Sequence, residues 1–179
     1  MINDQLVTWF ADVFRDPTRG VNVHLPSVPR PAGEAAPPAV TVLDVYTDDE
    51  AASGKLSDAR LDDGPFLVVG PSDSASFAGL VFDGSTDSSD LAVMYADGRS
   101  DTGAALQDAH RTLRTVRRVA ALRFAELGEA ALDLGGCTID APTSVRVFTT
   151  EGKMGAAQIM AVAFFPFPSV DRWALGAPA

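Results

Sequence analysis

The amino-acid sequence predicts an α+β domain: a mostly antiparallel sheet with an N-terminal helix and one long amphipathic helix packed on it. Three observations carry that expectation. Residues 101–127 hold Leu106, Ala109, Leu113, Val116, Ala120, Phe124 and Leu127 at steps of three or four, the period of a helix with one apolar face. Short runs rich in β-branched and aromatic residues lie on both sides of that helix, bounded by Gly, Pro or Asp-Gly. The order helix, strands, long helix, hairpin does not alternate as a parallel βαβ array would.

The elements follow in order. Ile2, Leu6, Trp9, Phe10, Val13 and Phe14 recur at helical spacing, with Asn3 or Asp4 as cap and Asp16-Pro17 as stop. Val21 to Leu25 reads as a short strand. Residues 26–38 hold five prolines and few large apolar groups, which predicts a loop or semi-rigid arm. Val40 to Tyr46 is the clearest early strand. Residues 47–64 form an acidic, polar excursion with Asp48, Asp49, Glu50, Asp62 and Asp63. Phe66 to Val69, Phe77 to Phe82 and Leu91 to Tyr95 are further strands, with turns at Gly70-Pro71 and Asp83-Gly84.

The long helix comes next, entered through Asp101 or Thr102, and Leu134-Gly135-Gly136 breaks the chain after it. Ser144 to Thr150 and Ala156 to Phe165 then pair through a Glu151-Gly152-Lys153 turn. Ala156 to Phe165 is apolar on both faces apart from Gln158, as in a central strand covered on both sides. The expected organisation is one domain over residues 1–165, with the Pro-rich loop at 26–38 and the acidic loop at 47–64. A C-terminal tail spans 166–179.

Totals narrow the function classes. With 179 residues, 46% hydrophobic and 21% charged, the chain has the composition of a globular domain. Its net charge of -10 opposes nucleic-acid binding, which draws on clustered Lys and Arg. Twelve of the 14 basic residues are Arg, a bias toward forked contacts with carboxylates. One cysteine, Cys137, excludes an internal disulfide. The N-terminus lacks the basic and apolar regions of a signal peptide, and the longest apolar run, Ile159 to Phe165, is too short to span a bilayer. The expectation is a protein made inside a cell and kept there, or in a particle assembled there, with no membrane contact.

Catalytic and metal patterns are weak. His24, His110 and Cys137 are far apart and form no ligand motif. Residues 83–90 lack the ligand order and distal Glu of a calcium loop and read as a solvated turn. Gly79 to Ser85 has the glycine spacing of a phosphate loop without its Lys, and Gly70 to Ser74 lacks the second glycine of a nucleophile elbow. Asp48-Asp49 and Asp62-Asp63 sit in polar segments that would not tune them for acid catalysis. No enzyme, cofactor or metal is expected.

Binding is better supported. The long helix gathers five of the 14 basic residues. At about 100° per residue, Arg111, Arg114 and Arg118 oppose the apolar stripe, with Arg117 and Arg123 on its flanks. They form either a solvated face balanced by local acids or a contact with the acidic loops of a second copy. In the tail, Phe167 and Trp173 are two large aromatics that must pack on their own domain or on a neighbour. The candidate contact residues are therefore Arg111, Arg114, Arg117, Arg118, Phe167 and Trp173.

Taken together, these elements resemble a tail terminator (tail-completion, or minor tail) protein of long-tailed bacteriophages and gene-transfer particles. The resemblance rests on the opening Ile2-Asn3-Asp4-Gln5-Leu6-Val7-Thr8-Trp9-Phe10 helix and the Val40 to Tyr46 strand after a proline-bearing loop. The strand ending Leu91-Ala92-Val93-Met94-Tyr95, the helix with His110-Arg111-Thr112-Leu113-Arg114-Thr115-Val116-Arg117-Arg118, and the final strand pair extend it over most of the chain. The chain departs by its length, chiefly through 47–64 and the tail. The resemblance implies a homo-oligomeric, six-fold ring that caps the tail tube, stops its polymerisation and docks on the head connector. Its partners would be the tail tube protein and head-tail connector proteins. The protein would sit in the host cytoplasm during assembly and then in the virion tail or neck. A head-tail connector or adaptor role, or a small-molecule-binding α+β domain built on Ser72 to Asp90, are the alternatives.

Overall fold

Alternation along the strands decides how the layers stack. The computed structural model describes residues 2–53, 58–71, 77–81, 84–99, 102–127, 132–133, 137–139, 146–150 and 159–171. The first half runs α1 (Ile2–Arg15), α2 (Val21–His24), a 3-10 turn (Leu25–Ser27), β1 (Thr41–Asp44), α3 (Asp49–Ser53) and α4 (Asp58–Leu61). Next come β2 (Phe66–Pro71), β3 (Phe77–Val81), β4 (Gly84–Asp97) and α5 (Thr102–Leu127). The chain closes with β5 (Leu132–Asp133), β6 (Cys137–Ile139), β7 (Arg146–Thr150) and β8 (Ile159–Asp171).

Among the described residues the strands form one eight-stranded sheet, in the order β1-β2-β4-β8-β6-β5. Among them the β1–β2 pair alone is parallel; β3 joins β4 beyond the end of β2, and β7 joins β8 beside β6. This is the α+β class with a mostly antiparallel sheet. Successive strand side chains point to opposite faces. Val42, Leu67, Val69, Leu91, Val93 and Tyr95 enter one buried cluster with α1, α2 and α5. Leu43, Phe66, Val68, Met94 and Ala96 enter a second cluster with Ala51 of α3 and Leu61 of α4. The part of the sheet made by β1, β2 and the second half of β4 is thus covered on both faces.

Helix α1 buries Val7, Phe10, Ala11, Val13 and Phe14, with Trp9 edge-on to Phe10 at 4.8 Å between ring centroids. It stops where the Asp16 carboxylate accepts from Thr18 N, Thr18 Oγ1 and Arg19 N. A side chain at Gly20 would fall 2.4 Å from the Phe14 carbonyl oxygen, so only glycine allows this tight exit. Helix α5 buries Ala109, Leu113, Val116 and Ala120 of the predicted stripe, together with Ala105 and Val119, while Leu106 is half-buried.

Four expectations need correction. The acidic stretch 47–64, expected as a loop, carries the short helices α3 and α4, whose Ala51 and Leu61 pack on the sheet. Residues 21–25 are helical, not a strand: Val21 and Leu25 are buried one turn apart while Val23 is 43% exposed, whereas a strand would have put all three on one face. The segment expected as a solvated turn, from Gly84 to Asp90, is strand. Pairing with β8 along residues 85–90, and with β3 over residues 84–87, overrides its weak strand propensity. The expected tail is strand as far as Asp171. Pro166 and Pro168 stand opposite Asp90 and Ser88 of β4, so their missing donors must face the other edge of β8. On that edge, among the described residues, β7 pairs with residues 160–164 and β6 with 169–171, and the prolines fall between those two stretches. The 135–136 break, the 151–153 turn and Trp173 lie outside the described residues, as do the side chains of Phe124 and Leu127.

Candidate functional site

The arginines of α5 divide into two groups. Arg111 is half-buried, and its Nη2 donates to Glu34 Oε2 while Nη1 lies 3.9 Å from Asp108 Oδ1. Glu34 is delivered by the Pro-rich arm. Its backbone N–H closes a turn onto the Pro31 carbonyl at 3.3 Å, and Gly33 takes the φ of 89° that this turn requires. The Arg30 guanidinium then gathers the carbonyls of Pro26 (2.8 Å), Val28 (3.2 Å) and Glu34 (3.0 Å). The arm is therefore ordered by its own contacts and tied to α5.

Behind Arg111 lies a buried polar chain. The Tyr95 hydroxyl donates to Asp97 Oδ2 at 2.7 Å, and Arg99 grips the same carboxylate through Nε (2.9 Å) and Nη2 (2.6 Å). Arg99 Nη2 also donates to Asp108 Oδ2 at 2.9 Å, linking the end of β4 to the second turn of α5. Burial works to raise the Asp97 carboxyl, but the Arg99 side chain and backbone N–H, with the Tyr95 hydroxyl, hold it below the usual carboxylate range. Burial, reinforced by the Asp97 carboxylate, pushes the Tyr95 phenol well above its ordinary value. Asp97 and Asp108 were not selected from sequence, although the alternating Tyr95, Asp97 and Arg99 at a strand end carried the signal.

Arg114, Arg117 and Arg118 are different. All three are exposed, and none has an ion pair or hydrogen bond among the described residues. Leu122, 44% exposed, continues their row one turn beyond Arg118. Arg123 turns toward the domain, where its charge adds to the Thr18 and Arg19 hydrogen bonds that lower the Asp16 carboxyl.

The acidic excursion has its own clamp. Arg60 of α4 donates to both carboxylate oxygens of Asp48 (3.1 and 2.5 Å), lies 3.4 Å from Glu50, and stacks 5.7 Å over the Phe66 ring. The Arg60 hydrogen bonds hold the Asp48 carboxyl below its ordinary value. Asp49, Asp62 and Asp63 around this clamp are exposed.

Other expected positions scatter. His110 is exposed on α5, His24 half-buried at the end of α2, and Cys137 stands in β6 opposite Asp171. Phe167 is a β8 residue opposite Ser89 of β4. Among the described residues no three His, Cys, Asp or Glu side chains gather to hold a metal ion, and no helix is long and apolar enough to cross a membrane. Chemically, the exposed row offers three forked cations on a rigid helix, suited to carboxylates. No protein-family model matches the chain, and no curated protein matches it in sequence.

Proposed function

We propose that this protein is a structural component of a phage-like particle, a tail terminator that forms a ring on the tail tube, stops its growth and docks the tail to the head connector. The observation that carries the reading is the row Arg114, Arg117 and Arg118. Three cations stand exposed and unpaired among the described residues, on a helix locked to the sheet, in a chain of net charge -10. Such a row calls for an acidic protein surface, because the rest of the chain repels phosphate. The α+β fold and the order of its elements agree with the resemblance.

The test combines light scattering with negative-stain imaging, alone and with the tail tube protein. A ring seated on tube ends supports the proposal. A monomer at high concentration that also ignores the tube refutes it, and capture of the portal side instead of the tube assigns the connector role.

A further inference from the structure

We infer that the arginine face of α5 docks on the acidic α3–α4 cover of a second copy of this chain, making a head-to-tail contact. The inference rests on the reading of that face as an assembly surface and names its partner.

Every other aspartate, glutamate and arginine whose side chain is described is engaged within its own copy. Three arginines remain, Arg114, Arg117 and Arg118, and three acids remain, Asp49, Asp62 and Asp63, all exposed and without a partner among the described residues. They cannot meet in one molecule. Helix α5 packs in the cluster on one face of the sheet, while α3 and α4 pack in the cluster on the other, so the sheet stands between the two charge sets.

Both patches are held in place. Leu113, Val116 and Val119 anchor α5 from below, and the Arg60–Asp48 pair fixes the acidic cover. With the backbone of both patches already fixed, the ordering cost of contact is confined to the exposed side chains. Because they differ and lie on opposite layers, the contact is heterologous and propagates into a ring or a filament, not a two-fold dimer.

The experiment is a charge swap read by sedimentation velocity. One variant carries Arg114→Glu, Arg117→Glu and Arg118→Glu; the other carries Asp49→Lys, Asp62→Lys and Asp63→Lys. Each alone should weaken self-association by about a hundredfold or more. Mixed in equal amounts they should reassemble, because each supplies the face the other lacks, in alternating order. Circular dichroism verifies folding; should the Lys variant misfold, Asp→Asn changes at the same three positions replace it and should give a smaller loss. If the arginine variant assembles like the natural chain, the assembly reading itself falls. If the arginine variant is monomeric but the acid variant assembles normally, or the mixture stays dissociated, the partner named here is wrong and the assembly reading survives. A natural chain that is monomeric at all concentrations, both alone and with the tail tube protein, overturns both.

Discussion

At Asp97, burial and partnership pull in opposite directions. The carboxylate is 1% exposed, yet Arg99 and Tyr95 supply enough donors to keep it charged and below its ordinary titration range. Stability from this group is present above its unfolded value of about 4 and is lost as pH falls through the lower folded value. Tyr95 is displaced upward, so its contribution is present below about pH 10 and is lost as pH rises. Urea unfolding midpoints should therefore be flat from about pH 5 to 9 and fall on both sides. Tyr95→Phe should cost about 1.5 kcal/mol at neutral pH, for a hydrogen bond to a charged group, and flatten the alkaline limb. An unchanged alkaline limb in that variant would assign the loss to another group.

Among the elements, β1 and α5 show how side chains complete what strands and helices leave open. β1 is the edge strand of the sheet, and an open edge recruits other strands. Here the Asn22 amide stands in for a neighbouring strand: its Nδ2 donates to Val40 O and its Oδ1 accepts from Val40 N, both at 2.9 Å. Arg15 Nη2 adds a bond to Val42 O at 3.2 Å. Asn22→Ala should lower stability by about 1–2 kcal/mol and raise aggregation, followed by denaturant unfolding and turbidity. In α5, Leu113 is 1% exposed between α1 and the sheet. Leu113→Asp would bury an unpaired charge at a cost of several kcal/mol, comparable with the stability of a whole domain, and should abolish the cooperative thermal transition.

For the whole molecule, the two charge sets on opposite layers would make the proposed assembly electrostatic. Exposed ion pairs are screened by salt, with a Debye length of about 10 Å at 0.1 M and about 3 Å at 1 M. Self-association should fall steeply across that range, while the denaturation midpoint of the dissociated chain changes little. Sedimentation velocity at several salt concentrations checks it; association that strengthens with salt would point to an apolar contact around Leu122 instead.

The amino-acid sequence by itself determined the elements whose period is written locally. The buried stripe of α5 through Ala120, the inward face of α1 and the strand character of β1 and β2 follow from spacing and side-chain shape. The arginine row was equally legible, because a helix projects residues three and four apart on one side. What tertiary structure decided depends on partners distant in the chain. Polar Ser85 to Asp90 and Pro166 to Asp171 are strand because long neighbours satisfy their backbones. Arg111 is set apart from Arg114, Arg117 and Arg118 because a turn 77 residues earlier brings Glu34 against it. The acidic excursion covers the second face of the sheet with helices of five and four residues, too short to write a period of their own. That placement, arginines above one face and unpaired acids above the other among the described residues, is the feature on which the proposed head-to-tail contact rests.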